Sequence, residues 1–547
     1  MGDGNKISFP CSSSMKILCC IVPLMVASLL VSNLIPKNSS WVSISSLPSP
    51  SDDESSPSLN TSTENLNAEV EGGGEPVDLR RPRVVVDVHS VGDALSAEAV
   101  VSRAAAPPLA VETVRVQEMS ATQETTVNIT PSPSQSPIND TVSVNDTLPL
   151  KPRKARVGTN LDKLEAGLWR ARAAIKEARN GNQLPDPDYV PIGPMYWDAK
   201  AFHRSYLEME KQFKIFVYPE GEPPVFHDGP CKSIYSMEGN FIHKLDLDSK
   251  FQTKDPEKAH VFYLPFSVAK MVQFVYVRDS HDFGPIKRTV IDYVDLIARK
   301  YPYWNRSLGA DHFILSCHDW GPEASFSLPY LHKNSVRALC NANTSEKFNP
   351  IKDVSIPEIN LQTGKLKGLV GGPSPSRRPI LAFFAGGVHG PIRPVLLEHW
   401  ENKDEDVRVH KYLPKGVSYY DMMRKSKYCI CPSGYEVASP RIVEALYNGC
   451  VPVLISVSYV PPFSDVLNWK SFAVVLSVDD IPNLKNILTG ISTRQYIRMQ
   501  RRVLQVRRHF VFNSPPKRFD VFHMILHSIW LRRLNVEIKD DREVVTN

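Results

Sequence analysis

Glu436, Ser439, Arg441 and Glu444 have the types and spacing to hold a ligand that carries both phosphate and hydroxyl groups. They lie in Cys431-Pro-Ser-Gly-Tyr-Glu-Val-Ala-Ser-Pro-Arg-Ile-Val-Glu-Ala-Leu-Tyr-Asn-Gly-Cys-Val-Pro-Val453. That run reads as a strand end, a tight loop, a helix start and the next strand. Ser439 stands where an N-cap belongs and Pro440 where the first helical residue belongs. A helix start there turns unpaired N–H groups and a positive dipole end toward the loop, which suits a phosphate. Arg441 adds a forked cation, and Ser433 and Gly434 line the same loop. Glu444, one turn on, is placed to accept both hydroxyls of a ribose. A second loop, Gly386-Gly-Val-His-Gly-Pro-Ile-Arg393, follows a strand and opens a helix. Its glycines, Gly387 among them, allow close backbone approach, and Arg393 can reach a phosphate. Together the two loops imply a nucleotide-sugar site, with Glu436 either touching the sugar or shaping the loop.

Such a site needs strands and helices in alternation to carry it. The second half supplies strand candidates at Ile380–Ala385, Val407–His410, Tyr428–Cys431, Val451–Ile455 and Phe472–Leu476. Helix candidates at Pro391–Trp400, Tyr419–Lys425, Pro440–Tyr447 and Ile481–Leu488 fill the gaps. The first half has the same rhythm, with apolar runs at Lys214–Tyr218, His260–Phe266 and His312–Ser316 and a helix over Ile286–Arg299. Short apolar strands alternating with helices predict an α/β protein with parallel sheets covered on both faces. Two Rossmann-like halves, 196–370 and 380–512, would face each other across a cleft, joined by a hinge at 371–379. A segment at 513–547 would close the body with an amphipathic stretch, Phe519–Leu534, packing across to the first half.

The motifs are similar to those of the exostosin family of glycosyltransferases, family 47. The resemblance rests on C-P-x-G-x4-S-x-R-x2-E-A-x3-G-C-V-P-V from Cys431 to Val453 and covers roughly residues 200–535. It includes Lys214-Ile-Phe-Val-Tyr-Pro219, Cys317-His-Asp-Trp-Gly-Pro322, Leu339-Cys-Asn-Ala-Asn343 and Phe383-Phe-Ala-Gly-Gly387. Within the plant branch, the segments at 317 and 339 resemble a xylogalacturonan xylosyltransferase. The family implies the GT-B fold, transfer from a UDP-sugar with inversion, and no required metal or other cofactor. Inversion needs a base, which GT-B enzymes usually take from the N-terminal half. Asp319 and His318, at a strand end beside Trp320, are the candidates, and His227, Asp228, Glu238 and His243 remain open. Asp246-x-Asp248 and Asp404-x-Asp406 match the metal motif of another glycosyltransferase fold, but their turn-like contexts read as solvated acids. A catalytically silent partner that steadies a polysaccharide synthase complex is the alternative to an enzyme.

The 547 residues leave room for more than the body. Residues 17–35 are apolar and uncharged, and as a helix they would rise about 28 Å, enough to cross a bilayer. Residues 1–16 would be the cytoplasmic tail. Residues 36–155, rich in Ser, Pro and Thr, read as a flexible stem. In a stem-helix and linker segment at 156–195, Leu161, Leu164, Leu168, Ala171 and Ile175 predict an amphipathic helix over 159–180 that packs on the body or on a second copy. Sequons at Asn38, Asn60, Asn128, Asn139, Asn145, Asn305 and Asn343 all follow the apolar run, so a single-pass type II protein of the Golgi membrane with a lumenal body is expected. Six body cysteines permit disulfides, and Cys317 with Cys340 is the first pair expected. Expected partners are a UDP-sugar, a cell-wall polysaccharide such as pectin or hemicellulose, and an oligomer with itself or other transferases. The net charge of +5 is mild, and no zinc-finger spacing points to nucleic acid. Arg494, Arg498, Arg501, Arg502, Arg507 and Arg508 form a basic cluster that would suit an acidic acceptor.

Overall fold

Short runs of Ile, Val, Phe and Tyr form two all-parallel sheets in the computed structural model, which describes residues 159–366 and 368–539. The first sheet has six strands in the order β2-β1-β3-β4-β5-β6. They are β1 (Ile215–Val217), β2 (Gln252–Thr253), β3 (Val261–Tyr263), β4 (His312–Ser316), β5 (Val336–Leu339) and β6 (Val354–Ser355). The second has five strands in the order β11-β10-β9-β7-β8. They are β7 (Ile380–Ala385), β8 (Val407–His410), β9 (Ser426–Pro432), β10 (Val451–Ile455) and β11 (Val474–Leu476). In both sheets a strand added late lies beside an earlier one. This is the doubly wound pattern, in which ligands meet the carboxyl ends of the strands.

Burial explains the strand composition. β4, β5 and β10 are buried at every position, as expected when helices cover both faces. In the register between β9 and β10, Ile430 faces Val453 and Cys431 faces Leu454. Cys429 forms a disulfide with Cys450, while Cys431 on the next pleat is a buried free thiol. Side chains of adjacent strand residues point to opposite faces, so the two cysteines of C-x-C cannot share a partner. The Cys317–Cys340 disulfide joins the ends of β4 and β5, as expected.

The helix Asn160–Ala178 starts on Thr159, which forms a reciprocal capping box with Asp162. It packs on the body itself, where Arg172 donates to the carbonyls of Leu534 and Val536. The helix Val521–Leu534 differs from the expected amphipathic stretch, because it is buried all round apart from Leu531. It is wedged against the first helix, the helix Ala199–Gln212 and strands β5 and β6, so no face is left for solvent. Between the halves, Arg378 is almost fully buried and donates to the carbonyls of Met423, Ser426 and Asn448. That anchors the expected hinge segment to the second half. Of the basic cluster, Arg494, Arg498 and Arg501 are exposed. Arg502 and Arg507 donate to the carbonyls of Ser471 and Tyr447, and Arg508 stacks on Tyr189.

The segments expected as tail, membrane span and stem lie outside the described residues, as do Asn38, Asn60, Asn128, Asn139 and Asn145. Among the described residues no helix is long and apolar enough to cross a membrane. Asn305 is exposed. Asn343 is only 8% exposed and its side-chain oxygen accepts from Ser345.

Candidate active site

The carboxyl ends of β7 and β9 release two loops that press on each other. Ser433 follows β9 and donates its N–H to the Ile455 carbonyl at the end of β10. Gly390 has φ +70°, and a Cβ there would stand 1.8 Å from the Gly434 carbonyl oxygen. No side chain fits at that point, so the glycines are dictated by loop contact. A Cβ at Gly434 would sit 2.9 Å from the Arg393 guanidinium, and one at Gly386 would sit 2.1 Å from that of Arg441. The glycines thus make room for two arginines.

Both arginines are held but not saturated. Arg393 is 6% exposed and donates weakly to the Gly387 carbonyl, and its Nε has no partner. Arg441 donates to the Ala385 carbonyl at 3.1 Å and lies over the Phe384 ring, and its buried Nε also lacks a partner. Burial, aided by the charge of Arg441, pulls the Arg393 guanidinium down to about 10. Two like charges brought together inside the protein call for an anion. Ser439 adds a buried hydroxyl with no partner. It is not the N-cap expected from the sequence. The helix spans Arg441–Tyr447, Pro440 takes the cap position, and no side chain caps it. At seven residues this helix is a minor source of positive potential, and the arginines supply the charge.

Glu444 lies on that helix, 8% exposed, with the hydroxyls of Tyr419 and Tyr420 donating to its two oxygens at 3.2 and 3.3 Å. Burial raises the carboxyl above its usual range, opposed by Arg441, the two tyrosines and Asn360. Glu436 accepts from Asn341 at 2.7 Å. Asn341 lies beyond the end of β5 and also bonds the Asp319 carbonyl, so it links the two halves across the crevice.

On the first half, the loop after β4 carries His318, Asp319 and Trp320. Glu238 lies beneath it as a buried anchor that accepts from Ser267, Ala269, Ser316, Cys317 and His318. Five donors leave that carboxylate no lone pair for a substrate. The imidazole of His318 is held down to about 3 by burial, and its Nδ1 accepts the Trp320 N–H. It is therefore neutral, with its proton on Nε2. Asp319 is half-buried and receives the Tyr235 hydroxyl. Asp228 is paired with His243 at 3.2 Å, and His227 contacts the Glu220 carbonyl. Trp320 packs edge-on against Tyr276 and Phe283.

A further carboxyl enters that the sequence did not single out. Glu358, beyond β6, is 6% exposed. Burial, together with the charges of Asp319 and Glu444, raises it well above the usual range, with Arg441 and Arg393 opposing. Of the two Asp-x-Asp segments, Asp404 and Asp406 are bound to Lys485, and Asp248 caps Phe251. Among the described residues no group of three His, Cys, Asp or Glu could hold a metal ion.

The site therefore combines an arginine pair, a buried carboxylate held by two tyrosines and an acid from the facing half. The family model described as the exostosin GT47 domain matches residues 209–491, a span that contains all of them. The chain belongs to this glycosyltransferase family. A probable glycosyltransferase of Arabidopsis thaliana is 74% identical over 398 residues, which is 73% of this chain and 77% of that protein. A second from the same plant is 56% identical over 383 residues, 69% of this chain and 82% of that protein. A probable glucuronosyltransferase of Oryza sativa subsp. japonica is 30% identical over 314 residues, 53% of this chain and 73% of that protein. The parallel α/β sheets are consistent with a GT-B-like transferase. These names do not bear on the likeness to a xylosyltransferase.

Proposed function

We propose that the protein transfers a monosaccharide from a UDP-sugar to a plant cell-wall polysaccharide, with inversion at the anomeric carbon. The observation that carries this reading is the pair of neighbouring arginines, whose Nε atoms, like the Ser439 hydroxyl in the same loop region, are buried without a partner. The diphosphate lies on Arg393, Arg441 and Ser439, and Glu444 takes the ribose hydroxyls. An acceptor hydroxyl oxygen attacks the anomeric carbon as the bond to the β-phosphate oxygen breaks. Asp319 takes the hydroxyl proton, and the departing UDP carries its charge onto the two arginines. Asp319 is preferred to His318 because the imidazole Nε2 already holds a proton and Nδ1 is engaged. The apolar run at 17–35 and the sequons beyond it support a single-pass type II protein of the Golgi membrane with a lumenal body.

Replacing Glu444 with Ala is expected to weaken UDP binding about tenfold, the worth of hydrogen bonds to a charged group. Calorimetric titration of UDP checks this. Unchanged affinity would remove Glu444 from the nucleotide site.

A further inference from the structure

The helix Arg441–Tyr447 begins at the crevice and ends elsewhere. At its far end the Tyr447 hydroxyl donates to the Phe510 carbonyl, and the Tyr447 carbonyl accepts from Arg507. The segment so anchored borders a cavity of about 530 Å³, within the size range of ligand pockets. One wall is the linker after the first helix, with Tyr189 and Ile192, and the other carries Leu504, Arg508, Asn513 and Lys517. The Arg508 guanidinium lies 3.7 Å from the centre of the Tyr189 ring, a stack that holds its plane. Its Nε is buried with no partner, and the Asp188 carboxylate stands 3.9 Å away, beyond hydrogen-bond reach. Arg518, which also lines the cavity, is by contrast spent on Asp186 and Glu210. Asp520 is occupied by the Asn513 amide and the Lys517 N–H. Arg508 is thus a fixed, buried donor that the fold leaves unused, at a cost a ligand would relieve.

A second observation says what the ligand is. The helix Thr493–Val506 buries Tyr496, Met499, Val503 and Val506 against the body, and Arg494, Arg498 and Arg501 are exposed. Steps of four, three and seven residues put these three and Arg508 on one side. The stripe runs about 21 Å along the helix at 1.5 Å per residue and ends at the cavity. Charges repeated over that length suit a polymer with repeated negative charge, where a lone phosphate would need one spot. Inside the cavity, Arg508 offers a forked donor to a carboxylate. Exposed Ile192 and Leu504 offer apolar surface to the carbon face of a ring. The Asn513 amide nitrogen is spent on Asp520, which leaves its carbonyl to accept from a hydroxyl. We propose that this cavity and the arginine stripe bind a uronate-bearing polysaccharide, at a site separate from the transfer crevice. The choice of a polysaccharide rests on the function proposed above; the anion site rests on Arg508 and the stripe. A concave site admits a chain better than it admits a bilayer surface, which makes a membrane the lesser occupant.

The test uses the full-length chain and measures affinities for oligogalacturonate, a neutral xylo-oligosaccharide of equal length, phosphatidylserine vesicles and UDP. The wild type is expected to bind the oligogalacturonate about tenfold or more tighter than the neutral chain. Arg508→Gln is expected to weaken oligogalacturonate binding about tenfold or more, with its thermal melting checked against the wild type. Replacing Arg494, Arg498 and Arg501 together with Ser touches only exposed side chains and is expected to weaken it about fivefold. Equal binding of acidic and neutral chains by the wild type overturns the proposal. So does unchanged oligogalacturonate affinity in Arg508→Gln with normal melting. If that variant melts early, unchanged affinity in the triple variant overturns it instead. Vesicle binding that depends on Arg508, without oligogalacturonate binding, gives the face to a membrane and also overturns it. A chain that binds oligogalacturonate but not UDP would refute the nucleotide site and leave this one standing; the reverse result would refute this one alone.

Discussion

Arg441→Ala is expected to lower the rate of sugar transfer by about 10²–10³, the loss seen when a preorganised donor to developing charge is removed. Arg441 is locked by the Ala385 carbonyl and the Phe384 ring, so its free Nε needs no reorganisation when the diphosphate departs. UDP affinity should fall as well, by about 10–100-fold, since each hydrogen bond to a charged group contributes about 1.5–3 kcal/mol. Arg441→Lys restores the charge without the fork, and Lys is no substitute at a stacked, bidentate position. Its activity should fall between those of Ala and wild type. Steady-state kinetics with UDP titrations measure both quantities. A variant with normal transfer would place the diphosphate elsewhere.

Asp319→Asn is expected to cut kcat by about 10²–10⁴, the usual contribution of a general base, with donor affinity nearly unchanged. Asn preserves the shape and still bonds the Tyr235 hydroxyl, so the loop above Glu238 keeps its place. The split between kcat and UDP affinity separates this role from that of the arginines. If Asp319→Asn keeps most of its kcat, another group takes the proton.

Much of the fold could be read from the sequence because parallel strands announce themselves as short apolar runs. β7, β8 and β10 have the residue bounds that their composition implies. The two arginine-bearing loops were legible for a related reason: both are continuous in sequence, and Gly390, Gly434, Arg393 and Arg441 lie within them. Ser439 shows the limit of local patterning. A Pro can occupy the cap itself, and the helix here starts one residue later than Ser-Pro suggests. Glu358 shows the limit of motif reading, since Ile356-Pro-Glu-Ile-Asn360 carries no chemical signature. Its place near the site emerges only when the segment is laid against Tyr235 on one side and Glu444 on the other. Glu238 erred in the opposite direction: it was a candidate base by composition, and the fold surrounds it with five donors. The Cys429–Cys450 bond was missed because it depends on the register of β9 with β10.

A crystal structure of the chain with UDP tests the central claim most directly. The account predicts diphosphate oxygens within hydrogen-bond distance of Arg393, Arg441 and Ser439, with the ribose hydroxyls on Glu444. UDP bound at a place that touches neither arginine would contradict it.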